Sequence, residues 1–443
     1  MLPTEIWILI INHINDPCEL MNLRCVCKKF NNLVETKLIK LKVWEKLCLE
    51  KNILPWKDHI VRTRFPGVVN NDHFLLNLHQ RTWKKIYCSY KKWSVVPELE
   101  YKHMTCDYGD KFLGENNNNN DQSFITCTGV WKNHLAVGTS NGYIYYCTVN
   151  HDKPLRKMFV LNNEEALMQI HFWYTDTKKL LMATLSKNYN LKFWDIDKRQ
   201  IIETRSFLAT NICVGLTHRF FSEWNCRITE HEWKPSGLEV KRSFDFCCPN
   251  HGDCTRKILA MYHDDKGLIL KALADYIFIF TYTIDFLESG KRNITITEFY
   301  KLHPETMDTS DLLIRYIAIS KVAFIANNKH LYILFDGLGI KMTDENYSTR
   351  GPYRKFQIPV TSIYMHSNLI IMGLNNGNLC LKYFNECKDL DTVNFRLELF
   401  KTIKIDTKPI ISLNITDFNG TPCIIASTES TLHLLHYSKP SKV

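Results

Sequence analysis

Between Cys247 and Cys254 the chain reads Cys-Cys-Pro-Asn-His-Gly-Asp-Cys, three thiols and the His251 imidazole within eight residues. These are donor types that hold zinc. Adjacent cysteines such as Cys247 and Cys248 rarely both reach one ion, and no second pair follows nearby, so the segment reads as a loop and no metal is expected. No phosphate-cradling Gly-rich loop, dinucleotide fingerprint, Gly-x-Ser-x-Gly elbow or His-Glu-x-x-His zinc helix occurs along the chain. Cys27 has no evident base or electropositive setting to make it a nucleophile. His218, Arg219, Lys271 and Arg315 fall near predicted strand ends, where a binding protein presents side chains to its ligand. Solvated loop charges are the plainer reading of each. A non-catalytic protein without a cofactor is therefore expected.

The elements that would carry a binding surface follow from composition and period. With 443 residues, 45% of them hydrophobic and 12% aromatic, the chain is long enough for two domains or for a large repeat fold with an appendage. Sixteen cysteines are scattered singly through apolar segments, the pattern of reduced thiols, so a cytoplasmic or nuclear protein is expected. The apolar run Trp7 to Ile11 follows Glu5 and no Lys or Arg, which disfavours a signal peptide, and it is far too short to span a bilayer. The net charge is +10, and the stretch from Glu35 to Trp93 holds thirteen Lys or Arg against five Asp or Glu. A solvated helical face explains this excess more simply than nucleic-acid binding does.

The period changes near Val95. Before it, Ile6, Ile10 and Ile14 recur at a spacing of four, Asn15-Asp16-Pro17 interrupts the helix, and two further short helices follow. Ile6, Ile10 and Ile14 should turn inward or toward a partner, with Trp7 and Ile11 on a flank that the pattern does not assign. Asp72 to Trp93 has Leu75, Leu78, Trp83, Ile86, Tyr87 and Tyr90 on one broad face, and Val43 to Trp93 is expected to form a stiff helical spacer. Beyond the asparagine run Asn116 to Asn120 the period is two. Seven strand–turn–strand units then recur at 135–147, 181–196, 218–233, 268–282, 322–335, 369–384 and 423–437. Their spacing is the period of four-stranded propeller blades, and a generic β-sandwich fits it less well.

Two resemblances refine this reading. Leu191-Lys192-Phe193-Trp194-Asp195-Ile196 resembles the closing strand of a WD repeat, and Gly138-Thr139-Ser140-Asn141-Gly142 and Gly373-Leu374-Asn375-Asn376-Gly377 resemble the hairpins of that family. The other units lack Trp-Asp, so the resemblance is to a divergent seven-bladed WD-like β-propeller. The first fifty residues resemble an F-box through Leu2, Pro3, Glu5, Ile6, Ile10, Ile14, Asp16, Pro17, Leu20, Val26, Cys27, Lys28 and Phe30, continuing through Leu33 and Val34 to Val43-Trp44 and Leu47-Cys48.

The expected class is α plus all-β, with an F-box over 1–48, a helical linker over 49–94 and the propeller over 95–443. The F-box resemblance implies binding to a Skp-type adaptor, and through it to a cullin-RING ubiquitin ligase. Leu2, Pro3, Ile6, Ile10, Leu20 and Val26 would line or support the adaptor face, and Ile14, Cys27, Phe30, Leu33, Val34 and Trp44 would form the bundle's core. The propeller would hold a target protein, phosphorylated or not, with His218, Arg219, Lys271 and Arg315 as candidate contacts and no membrane involved. A scaffold with the same two parts but no ligase role is the competing expectation.

Overall fold

Among the described residues, seven four-stranded antiparallel sheets follow a set of short helices. The computed structural model describes residues 3–14, 17–40, 42–50, 78–107, 123–150, 153–175, 177–206, 209–214, 220–224, 227–245, 258–263, 267–273, 276–286, 292–302, 313–317, 322–326, 329–335, 353–366, 368–384, 397–418 and 421–438. They divide into two units, Met1–Trp93 and Ser94–Val443.

The first unit holds α1 (Thr4–His13), α2 (Pro17–Leu23), α3 (Lys28–Lys40), α4 (Val43–Glu50) and α5 (Gln80–Ser94). Pro3 precedes the first turn of α1, and Pro17 opens α2 at the position where its missing N–H removes no helical bond. Helices of this length gain their stability from packing rather than from propensity. Leu20, Val34, Leu38 and Cys48 are fully buried and Trp44 nearly so, which joins α2, α3 and α4 around one core.

The helix α5 lies back against this core. Lys84 reaches both oxygens of Glu35 at 2.9 Å, Gln80 Nε2 donates to Glu45 Oε2 at 3.1 Å, and Tyr87 packs on Trp44 with ring centroids 5.9 Å apart. Val43 to Trp93 is therefore not one continuous rod. Polar bonds and apolar area on the faces of α4 and α5 favour side-by-side packing, and the part of the expected spacer between 51 and 77 lies outside the described residues.

The second unit begins with a 3-10 turn at Val96–Glu98 and strand β1 (Glu100–Asp107). The first sheet contains β2 (Ile125–Trp131), β3 (His134–Thr139), β4 (Tyr143–Asn150) and β5 (Lys153–Asn162). The second contains β6 (Leu167–Tyr174), β7 (Leu180–Ser186), β8 (Leu191–Asp195) and β9 (Gln200–Arg205). The third is formed by β10 (Asn211–Val214), β11 (Phe220–Trp224), β12 (Arg227–Lys234) and β13 (Gly237–Asp245). The fourth is β14 (Ile258–His263), β15 (Gly267–Leu273), β16 (Tyr276–Phe286) and β17 (Arg292–Leu302). The fifth is β18 (Leu313–Ile317), β19 (Val322–Ala326), β20 (Leu331–Phe335) and β21 (Tyr353–Phe356). The sixth is β22 (Val360–His366), β23 (Leu369–Leu374), β24 (Asn378–Tyr383) and β25 (Lys401–Lys404). The last is β26 (Ser412–Phe418), β27 (Thr421–Ser427) and β28 (Thr431–Ser438), completed by β1.

Six of these sheets are meanders, the last being closed by β1 from the start of the unit, and each of the seven units expected from the sequence supplies the two middle strands of one sheet. The leading strands β2, β6, β10, β14, β18, β22 and β26 neighbour one another in that order, and β26 also neighbours β2. Such a closed succession is consistent with a propeller. Closure has two parts. Strand β1 pairs along β28 from Glu100↔Ser438 to Asp107↔Thr431, covering an edge that would otherwise be open. Asn414 on β26 donates to Thr128 Oγ1 on β2 at 2.8 Å, and the Thr128 and Ser412 hydroxyls are 2.6 Å apart.

The core lies between sheets rather than on one side of each. One cluster joins Leu135, Val137 and Tyr145 of the first sheet to Cys423, Ile425 and Leu434 of the last, and another joins Ile144 and Tyr146 to Ile170, Met182 and Trp194 of the second. Strands covered on both faces lose the alternation of a one-sided sheet, and all five residues of β8 are buried. The hairpin turn at Gly142 needs glycine twice over: its φ is +86°, and a Cβ there would meet Glu165 N at 2.7 Å.

Candidate docking face of the N-terminal helices

The helix α1 is apolar nearly all the way round, so sequence period alone does not say which side faces inward. The inward stripe consists of Thr4, Trp7 and Ile11. Ile11 is only 2% exposed, and Trp7 meets Phe30 of α3 edge-on with ring centroids 4.7 Å apart. At the end of α1 the ammonium of Lys37, a buried residue of α3, donates to Ile11 O at 2.6 Å and to Ile14 O. A cation is well placed on the last carbonyls of a helix C-terminus. Desolvation lowers the pKa of this lysine.

With that stripe committed, the other side of α1 faces water. Ile6 is 40% exposed, Leu9 57% and Ile10 41%, and Val26 in the α2–α3 turn is 64% exposed. Pro3 is exposed as well. Ile6, Leu9 and Ile10 share one face through spacings of three and four. Large apolar side chains grouped at this density on one short helix mark a surface that something covers.

Several expected roles change. Leu20, expected to line or support the face, is fully buried and so does not line it. Cys27 is exposed, not part of the core. Its Sγ accepts the Phe30 N–H at 3.5 Å while its carbonyl accepts the Asn31 N–H at 2.9 Å, so it caps the N-terminus of α3. Val34 and Trp44 are buried, whereas Ile14, Phe30 and Leu33 are half-buried. Leu2 lies outside the described residues. The sequence reading missed Lys37, since nothing in the local pattern distinguishes it from solvated lysines, and it missed Leu9.

In the second unit, His218, Arg219 and the cluster Cys247, Cys248, His251 and Cys254 lie outside the described residues. Lys271 stands on β15 opposite Ile258 and Phe278. Arg315 is the central residue of β18, opposite Phe324, and not near a strand end as expected. Among the described residues no group of three or more His, Cys, Asp or Glu is arranged to hold a metal. Burial pushes the thiols of Cys48, Cys127 and Cys147 up to about 12, which keeps them protonated and unreactive. No helix among the described residues is long and apolar enough to cross a membrane, which says nothing of strands.

Trp194 and Asp195 are both anchored. The Trp194 indole donates to Thr184 Oγ1 at 2.9 Å, and Thr184 Oγ1 donates to Asn163 Oδ1 at 3.1 Å in the loop that enters the second sheet. Asp195 pairs with Lys179 at 2.9 Å and accepts the Lys198 N–H at 3.0 Å. Desolvation raises the pKa of its carboxyl, but these bonds outweigh it and hold the group below its usual range.

An F-box-like family model matches residues 1–50, the span that contains α1 to α4 and the exposed apolar face. No curated protein matches the chain.

Proposed function

We propose that the chain is the substrate-recognition subunit of an SCF-type cullin-RING ubiquitin ligase, in which the F-box-like helices bind a Skp-type adaptor and the sheets form a seven-bladed WD-like propeller that binds a target protein. The observation that carries the reading is the outward face of α1, where Ile6, Leu9 and Ile10, with Val26 in the α2–α3 turn, stand in water inside the F-box-like match. F-box domains generally bind adaptors of the Skp type. Completing the burial of these four side chains contributes about 1 kcal/mol each. The closed succession of four-stranded sheets and the Trp194–Thr184–Asn163 bonds support the WD-like reading of the second unit.

The mechanism is tethering. A target held by the propeller and an adaptor held by the helices turn a bimolecular encounter between target and ubiquitin-charged enzyme into an intramolecular one, which raises effective concentration without chemistry by this chain. The protein would act in the cytosol or nucleus, as a non-catalytic subunit. Co-purification from cells of the full chain, compared with a chain lacking residues 1–50, tests this reading. Adaptor and cullin recovered only with the full chain support it. Adaptor without cullin would favour a scaffold, and neither protein would overturn it.

A further inference from the structure

At one end of the first two sheets, the turns carry cations where glycine, asparagine or aspartate would be the ordinary choice. Lys132 follows β2 with φ +51°, Lys178 joins β6 to β7 with φ +63°, and Arg199 joins β8 to β9 with φ +56°. A side chain with a Cβ is disfavoured in this left-handed region. Lys198 stands beside Arg199. All four are exposed, and none forms an ion pair among the described residues. Arg199 lies over the Phe159 ring, 4.8 Å from its centroid.

Contacts between rings make the three turns parts of one surface. Phe159 stacks on Tyr146 at 4.5 Å, the Tyr146 hydroxyl lies 2.5 Å from His134 Nδ1, and His134 is paired in register with Trp131. Trp131 in turn stacks on Tyr174 of the second sheet at 5.8 Å and 16°. Burial and Lys132 lower the pKa of His134 while Asp197 raises it, so both charges are close to this ring. Among the described residues of these turns Asp195 is committed to Lys179 and Asp197 forms no ion pair, while Asp152 and Asp176 lie outside the described residues. The turns at the other end of the same sheets carry Glu164, Glu165 and Lys187, with no cation excess.

We infer that this end of the first and second sheets is a docking surface for an acidic, Asp/Glu-rich segment of a partner protein. Three of the four cations are lysines, point charges carried on separate turns, which suits charge spread along a peptide. A single phosphate is read by converging guanidinium forks, and only one arginine is present here. Trp131 and Tyr174 cover each other's faces, so bases cannot stack between them, and a nucleic acid fits less well. The proposal rests on residues of the second unit alone and stands or falls independently of adaptor binding.

The test uses the full chain and a fluorescent glutamate-rich peptide, with a glutamine-for-glutamate peptide and a single-stranded oligonucleotide as controls. The expected result is binding of the acidic peptide alone, weakening as salt rises. The double variant Lys132→Gly plus Lys178→Gly should weaken it about tenfold, as removal of two screened charge contacts does. Glycine relaxes both turns, so the melting temperature of that variant should stay level or rise, which separates lost charge from lost fold. Lys198→Glu plus Arg199→Glu should abolish binding. Equal affinity for the neutral peptide, preference for the oligonucleotide, or unchanged affinity in both variants would overturn the proposal.

Discussion

Ile10 and Ile11 are adjacent in sequence but lie about 100° apart around α1, 41% and 2% exposed, so truncating each should damage a different property. Ile11→Ala removes a fully packed side chain from the contact with α3, and buried isoleucines truncated to alanine cost about 2 to 5 kcal/mol. Taking about 3 kcal/mol, the local opening of α1 becomes roughly a hundredfold more frequent. Ile10→Ala leaves no cavity and should cost less than about 0.5 kcal/mol of stability. It removes the fraction of the side chain that an adaptor would cover, about 1 kcal/mol, or roughly fivefold in adaptor affinity. Amide hydrogen exchange of α1 in the full chain measures the first effect, and calorimetric titration with purified adaptor measures the second. Equal acceleration of exchange by both substitutions, or full adaptor affinity in Ile10→Ala with exchange unchanged, would refute the assignment of the two faces.

Other outcomes follow from particular contacts. Cys27→Ser should keep or slightly raise the stability of the helical unit and Cys27→Ala should lower it by about 0.5 to 1 kcal/mol, read by chemical denaturation, because a hydroxyl replaces the thiol as N-cap and a methyl group does not. Thr184→Val should cost about 1 to 3 kcal/mol in the same assay by leaving the buried Trp194 indole and Asn163 without their shared partner. His231, bonded to Ser222 at 2.7 Å, is lowered from 6.5 to about 4 by desolvation and then by Arg205. A histidine with a depressed folded-state pKa contributes stability that is present above 6.5 and lost as pH falls toward about 4. Denaturation across that window should lose stability, and His231→Gln should reduce the loss by about 3 kcal/mol.

The seven hairpins were legible because alternation and turn residues are local signals: Ser140-Asn141-Gly142 and Asn375-Asn376-Gly377 mark their own turns, with positive φ at both glycines. The orientation of α1 was not, since Ile6, Ile8, Leu9, Ile10 and Ile11 surround Trp7 and period gives no preferred face. The Trp7–Phe30 contact and the Lys37 cap decide it, and both join residues more than twenty positions apart. Cys27 illustrates a different loss. Its place one residue before a helix was visible, but a thiol is a weak cap and reads from sequence as an apolar packing residue. The cationic turns escaped notice because Lys132, Lys178 and Arg199 look like any loop charge until their backbone angles and their common end of two sheets are known.

The central claim is that the outward face of α1 attaches this chain to a ligase. The most direct measurement is size-exclusion chromatography with light scattering on the purified full chain mixed with adaptor and cullin. The account predicts one species of equimolar composition, lost in Ile6→Asp plus Ile10→Asp while the hydrogen-exchange protection of α3 is retained. A chain that elutes alone, or a complex that survives the double substitution, would contradict it.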